Sequence, residues 1–289
     1  MRSADEVVSE VRATGLLAPD APVLVLLSGG RDSTCLLDLA WRLAGSASAL
    51  HVNYGLRPDS DADEAHCRVL CAQLGVPLEV ERPRRPPGAG NLQAWARDVR
   101  YQAAARRGVT VAAGHTASDQ AETVLYRLAA SPGRRALLGM APREGRLVRP
   151  LLAITRAETA AYCRARGLAW REDPSNASDA FARNRVRHEL LPALRSVHPA
   201  AEENVRRTAE LLREEAAVLD EVVAGVLDGR REIELHRLAE DTLGRTVPRA
   251  ARRTEDVLAL GPDGALDLGD GARARVRAGT LSFERTPAR

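Results

Sequence analysis

The sequence predicts an α/β protein built on a doubly wound, mainly parallel sheet, with a helical linker and a smaller C-terminal domain after it. Three observations carry this expectation. Strand-length apolar runs alternate with helix-length amphipathic segments through more than half of the chain. The first run, Val23 to Leu27, is apolar throughout, as a strand covered on both faces of a parallel sheet requires. It leads through Ser28-Gly29-Gly30-Arg31-Asp32-Ser33 straight into Thr34 to Leu43, where apolar residues recur at helical spacing.

The elements follow in order. The opening 17 residues form an amphipathic helix with Val7, Val8, Val11 and Leu16, and lack the compact apolar core of a signal peptide. Ser48 to Asn53 is the second strand, and Ser60 to Leu74 a helix ended by Gly75. Pro77 to Val80 is the third strand, followed by the basic, proline-rich loop 82–90. Asn91 to Arg107 is a helix capped by Asn91 and stopped by Gly108; Thr110 to Ala113 is the fourth strand. Asp119 to Ala130 is a helix with Asp119 as N-cap and Glu122 three residues on, a capping-box spacing. Thr155 to Arg166 and an arginine-rich Arg183 to Arg195 are further helices, with a polar loop at 170–176 between them. Pro199 to Leu227 is a long amphipathic helix, with Val205, Leu212, Leu219 and Val226 at intervals of seven. Its apolar face packs along its whole length, against its own domain or in a homodimer. Ala265 to Leu268 and Leu281 to Phe283 are strand-like pieces with glycine turns. The expected division is a domain over 1–198, a linker helix over 199–229 and a small domain over 230–289.

Composition narrows the chemistry. With 45% hydrophobic and 28% charged residues the chain has the balance of a soluble globular protein, and it carries no apolar run long enough for a bilayer. A cytoplasmic location is the expectation. The four cysteines, Cys35, Cys67, Cys71 and Cys163, lack the spacing of a zinc or iron–sulfur site and read as buried thiols. All 42 basic residues are arginine. Without lysine there is no Walker A loop and no Schiff-base chemistry. Net charge is only +3, yet residues 82–107 and 127–156 each hold seven arginines against one acid, basic faces suited to a polyanion or simply to solvent.

The glycine turn is the natural anion site. Two glycines let the backbone come close to a ligand, and the first N–H groups of the following helix lack internal partners. Strand ends in doubly wound sheets share one edge, so the turn at 28–33, the loop after Asn53 and the segment from Gly114 to Glu122 belong together there.

These residues resemble a known family. SGGRDS after a buried strand resembles the diphosphate loop of the N-type ATP pyrophosphatases, the PP-loop superfamily, which has an adenine nucleotide alpha hydrolase-like fold. HVNYGLRPDSDADE, NLQAWARDVRY, GHTASDQAETVLYRL and WREDPSNASDAFARNRVRHELLP follow in order and resemble the tRNA(Ile)-lysidine synthase family over about residues 22–195. Tyr54 stands where that family more often has histidine, and Ser118 where it usually has an acid. The resemblance implies a ligase that joins free L-lysine to the wobble cytidine of the CAU anticodon of tRNA(Ile). ATP and Mg2+ are consumed or required, and an adenylated cytidine forms before AMP leaves. It assigns ATP binding to Ser28, Gly29, Gly30, Arg31, Asp32 and Ser33, and catalysis to Asp32, Arg97, His115, Asp119 and Glu122. Asp32 and Asp119 are the implied metal ligands, and Arg100, Arg183, Asn184 and Arg187 bind tRNA or lysine. Glu122 or Asp119 would bind the lysine ammonium or take its proton.

The residues taken alone leave plainer readings open. Asp32 could cap its helix, Asp119 and Glu122 could be a capping box only, and His115 an ordinary loop residue. Arg97 with Arg100, and the basic residues of 183–188, could be solvated faces. A tRNA thiolase of the same superfamily is the rival reaction; it commonly uses a CxxC pair, which this chain lacks. A non-catalytic RNA- or nucleotide-binding protein is the rival from another class.

Overall fold

The computed structural model describes residues 2–84, 92–131, 133–172, 182–227, 235–244, 247, 249, 253–261, 263–277 and 280–286. They form two compact units, divided between Glu214 and Glu215. The division falls inside the long helix, within the stretch 199–229 expected as a linker.

In the first unit, helix α1 (Ala4–Ala13) precedes strand β1 (Val23–Leu26), helix α2 (Arg31–Ala44) and strand β2 (Ala47–Val52). Helix α3 (Ser60–Leu74), strand β3 (Leu78–Glu81), helix α4 (Leu92–Ala105) and strand β4 (Thr110–Ala112) follow. Asn91, the expected cap of α4, lies outside the described residues. Then come α5 (Ala117–Ala130), the short α6 (Arg134–Leu137), the two-residue strands β5 (Arg143–Glu144) and β6 (Leu147–Val148), and α7 (Arg156–Ala165). The strand order is β3-β2-β1-β4-β6-β5. All neighbours are parallel except β5, which runs against β6. The mainly parallel, doubly wound sheet is therefore as expected. Strands β5 and β6 escape a sequence reading because two residues carry no periodicity.

The strand order reverses direction between β1 and β4, so the carboxyl ends of these two strands flank the crevice where such sheets take ligands. Sequence and packing both serve that crevice. Strand β1 is buried from end to end, and Cys35, Leu36, Leu37, Leu39 and Ala40 of α2 are buried beneath it. Gly114, just after β4, lies so close to α2 that a Cβ there would come 3.1 Å from the Asp32 carbonyl. A side chain at 114 would push the two loops apart.

The arginine-rich stretch is not one regular helix. It runs as α8 (Ala182–Arg185), a π-helical turn over Val186–Leu190, and α9 (Leu191–Val197). Helix α10 (Ala201–Leu227) packs less than its heptads suggest. Ala209 is buried and Val205 leans on Val186 and Leu191, but Leu211, Val218 and Leu219 are exposed.

In the second unit, α11 (Leu235–Leu243) and α12 (Thr254–Leu258) accompany an antiparallel sheet of β7 (Ala265–Gly269), β8 (Ala272–Arg277) and β9 (Thr280–Arg285). Ala239, Val247, Val257, Leu268, Ala272 and Ala274 form its core. Strand β8, ARARVR, was not expected: its inward residues are two alanines and a valine between arginines, which reads as polar sequence.

Candidate active site

The loop between β1 and α2 is tied to itself and open outward. Ser33 Oγ donates to the Gly30 carbonyl at 2.9 Å and accepts from the Ser28 N–H at 3.2 Å, and the two serine hydroxyls lie 3.1 Å apart. Gly29 sits at φ +83°, where a Cβ would also approach the Cys67 Sγ at 3.2 Å. Gly30 is the N-cap of α2 and provides no side-chain acceptor. The first-turn N–H groups of α2 are thus presented at the crevice, an arrangement made for phosphate.

Asp32 does not cap this helix, so that plainer reading is set aside: it stands in the first turn, two residues after the cap. Its Oδ1 accepts from Thr159 Oγ1 at 2.5 Å and from Arg31 Nε at 3.1 Å. Its Oδ2 faces Arg156 Nε at 3.9 Å.

Across the crevice, β4 hands over to α5 through Gly114 and His115. The capping box of α5 differs from the expected one: Thr116 is the N-cap and Asp119 the third helical residue. Asp119 Oδ2 accepts from the Thr116 N–H at 2.9 Å and its hydroxyl at 2.8 Å. Threonine caps by accepting the N–H three residues on, and Asp119 answers it, so Glu122 is released from any capping role. Glu122 lies one turn later on the same face and is fully buried.

Three arginines from two distant segments converge on these carboxylates. Arg156 donates to Asp119 Oδ1 at 2.5 Å and to Glu122 Oε1 at 2.6 Å. Arg183 reaches Glu122 Oε2 at 3.2 Å and Asp119 Oδ1 at 3.4 Å. Arg187 grips both oxygens of Glu122, at 2.7 and 3.2 Å. Burial would raise both carboxyls, but Arg156 and Arg183 with the Thr116 bonds hold Asp119 down to about 2. The arginines likewise keep Glu122 below its usual value despite its burial. Both are ionised at neutral pH. His115 goes the other way: burial lowers it to about 4, Arg149, Arg183 and Arg100 add to that, and Asp119 opposes it. The imidazole is neutral, and its buried Nδ1 has no hydrogen-bond partner among the described residues.

The structure therefore brings together Asp32, His115, Asp119, Glu122, Arg183 and Arg187. Arg183 and Arg187 turn inward onto Glu122, so a solvated basic face does not describe them. Asn184 is half-buried between them in sequence, on α8. Arg97 is not brought to the carboxylates. It is exposed, with its guanidinium 5.0 Å from the centre of the Tyr101 ring. Arg100 lies 5.5 Å from the same ring and keeps a buried, unpartnered Nε. Tyr54, at the expected histidine position, donates to the Ala96 carbonyl at 2.7 Å and so braces α4.

Arg156 and Thr159 were missed. A signal for the first existed: Thr155-Arg156-Ala157-Glu158 is itself a capping box after β6, and it sets Arg156 in the first turn of a helix at the same sheet edge. The Ala117 N–H to Ile154 carbonyl bond, 2.8 Å, joins the starts of α5 and α7. A cavity of ≈ 390 Å³ opens beside them, with Ser118, Glu122, Arg156, Arg187, Arg195 and Glu202 in its wall.

The two proposed metal ligands fit a hard divalent cation in kind. Asp32 Oδ2 and Asp119 Oδ1 are carboxylate oxygens that both face the Arg156 guanidinium, and magnesium takes one or two such groups with substrate phosphates. Among the described residues no set of three His, Cys, Asp or Glu side chains forms a cage by itself.

The chain was compared with known proteins. Residues 3–194 match the family model described as PP-loop domain. Among curated relatives, a tRNA(Ile)-lysidine synthase of Pseudomonas fluorescens is 44% identical over 210 residues, 68% of this chain and 47% of the relative. One from Gloeobacter violaceus is 41% identical over 227 residues, 73% of this chain and 69% of the relative. The chain spans about half the length of the first of these. Among solved structures, a U34-tRNA thiolase from Methanococcus maripaludis superposes with TM-score 0.61 at 19% identity, covering 72% of this chain and 78% of that one, a likeness of fold.

Proposed function

This chain belongs to the PP-loop domain family, alongside its tRNA(Ile)-lysidine synthase members, and from that premise we propose that it ligates free L-lysine to the wobble cytidine of tRNA(Ile) with a CAU anticodon. The observation that carries the proposal is the crevice between β1 and β4. There an open anion loop faces two ionised carboxylates and a neutral, buried histidine.

ATP lies with its β- and γ-phosphates in the 28–33 loop. The cytidine 2-carbonyl oxygen attacks the α-phosphorus, and the bond to the β-phosphate oxygen breaks. Charge grows on the departing diphosphate, where the first-turn N–H groups of α2 and the Ser28 and Ser33 hydroxyls stabilise it. A magnesium ion held by Asp32 and Asp119 would neutralise the same phosphates. The lysine ε-amine then attacks C2, the C2–O bond breaks, and AMP leaves with the oxygen. The arginines hold Asp119 and Glu122 in the charged form, so these groups attract the ammonium and are poor proton acceptors. His115 is neutral, but burial holds it at about 4, so it too is a weak base; its Nδ1, without a partner among the described residues, can accept a hydrogen bond from the amine. Glu122 or Asp119 binds the ammonium, and the proton it sheds passes to solvent.

The thiolase reading is less supported, since all four cysteines are buried. Burial lifts Cys67 to about 12 and Cys71 to about 11, and a hydrogen bond with Cys163, together with burial, raises Cys35 well above its usual value. Arg100 and Arg97, beside Tyr101, suit the tRNA backbone, and so do Arg273, Arg275 and Arg277 at alternate positions of β8 in the second unit. The unit over 215–289 is proposed as an accessory tRNA-binding domain. No described helix is long and apolar enough to cross a membrane. The test is incubation with a CAU-anticodon tRNA(Ile) transcript, ATP, Mg2+ and labelled lysine. Lysine enters the tRNA with release of AMP; tRNA that binds without AMP release returns the chain to a binding protein.

A further inference from the structure

Arg156 holds the position that a cation between Asp32, Asp119 and Glu122 would take. The hydrogen bonds decide this. Asp119 Oδ2 is spent on the Thr116 cap, and Asp32 Oδ1 on Thr159 and Arg31. The other oxygen of each carboxylate, Asp119 Oδ1 and Asp32 Oδ2, faces the Arg156 guanidinium, at 2.5 and 3.9 Å; Arg183 and Arg187 lie farther from Asp119 Oδ1, at 3.4 and 3.9 Å. The third nitrogen of Arg156 is on the buried Glu122 at 2.6 Å. Three carboxylates, Asp32, Asp119 and Glu122, stand against four guanidinium groups, Arg31, Arg156, Arg183 and Arg187, an excess of one positive charge. A divalent ion added to this set would face a guanidinium a few ångströms away, and the carboxylates there are already outnumbered by arginines among the described residues. Nucleotide phosphates supply the missing negative charge.

We infer that Arg156 is a resident counter-cation of the nucleotide-free enzyme, which shuts the Asp32–Asp119 pair to free divalent ions and yields it only to an ion that arrives with nucleotide phosphate. Arg156 is thus a positioning residue that orders binding: the ion enters with the nucleotide and not before it. It keeps the carboxylates ionised and converged while they wait. The inference rests on the reading of Asp32 and Asp119 as metal ligands.

The experiment is titration of the full chain with Mn2+, followed by electron paramagnetic resonance of the free ion, without nucleotide and with a non-cleavable ATP analogue. Wild type binds Mn2+ weakly alone and at least tenfold more tightly with the analogue. In Arg156→Met, Mn2+ binding without nucleotide tightens at least tenfold and the effect of the analogue shrinks. Arg156→Lys keeps the positive charge and stays close to wild type, which separates loss of the cation from loss of fold. Circular dichroism confirms that each variant is folded. If wild type with the analogue binds Mn2+ but Arg156→Met and wild type bind it equally without nucleotide, the inference is overturned alone. If wild type takes up no Mn2+ even with the analogue, the metal reading of Asp32 and Asp119 falls, and the inference with it.

Discussion

The crevice has two walls made in opposite ways. The β1–α2 wall is a continuous six-residue turn whose donors belong to the backbone and to two serines that bond each other. The β4–α5 wall is a lattice of charges: Asp119 and Glu122 from one helix, Arg156 from another, and Arg183 and Arg187 from α8 and the turn after it. The first wall works by leaving dipoles open to a ligand. The second works by cancelling charges that burial would otherwise neutralise. A local device loses little when one of its parts is removed, whereas an interlocked buried lattice loses much.

Substitutions on each wall put that contrast at risk. Glu122→Leu should have the largest effect. It leaves three guanidinium groups around an apolar side chain, and breaking a buried pair in this way costs about 4 kcal/mol. Urea unfolding measures it; a loss under about 1 kcal/mol would mean that the lattice is slack.

His115 gives the next effect, through pH. Its folded value of about 4 lies below the unfolded 6.5, so the unfolded chain binds the extra proton first. Stability from this group is complete above pH 6.5, is lost as pH falls to about 4, and stays level below that. The full span is worth about 3 kcal/mol. The difference in stability between wild type and His115→Gln should carry that slope; a flat difference would mean a solvated histidine.

Asp119→Asn keeps a capping side chain but loses the charge. AMP formation should fall about a hundredfold, the size of losing one aligned electrostatic contact, while tRNA affinity in a filter-binding assay stays nearly unchanged. Equal loss of both would place Asp119 in structure alone. Ser28→Ala, on the local wall, should cost only about 1 kcal/mol of ATP affinity by calorimetry, one neutral hydrogen bond. A loss as large as that of Glu122→Leu would erase the distinction between the walls.

The same distinction explains what the sequence disclosed. Ser28 to Ser33 is legible because strand, turn and helix are adjacent in the chain, and their periodicities change at the turn itself. Asp119, Glu122 and His115 are legible as residues but not as a structure. The cap was set at Asp119 when Thr116, three residues earlier, holds it, and periodicity cannot choose between neighbouring polar residues as a helix start. Arg156 was hidden among 42 arginines, since nothing local marks the one whose partners are 34 and 37 residues away. Arg97 shows the converse: the family resemblance favoured it over Arg100, yet Arg97 is exposed while Arg100 is half-buried, with its Nε enclosed.

The central claim is that the 28–33 loop serves attack of a tRNA carbonyl on the α-phosphorus of ATP. The most direct test supplies the protein with CAU-anticodon tRNA(Ile) and ATP labelled at the α-phosphate, without lysine. The account predicts that the label moves onto the wobble nucleotide as diphosphate is released, and that added lysine discharges it as AMP. ATP consumed while the label never joins the tRNA, or is recovered as ADP, would contradict it.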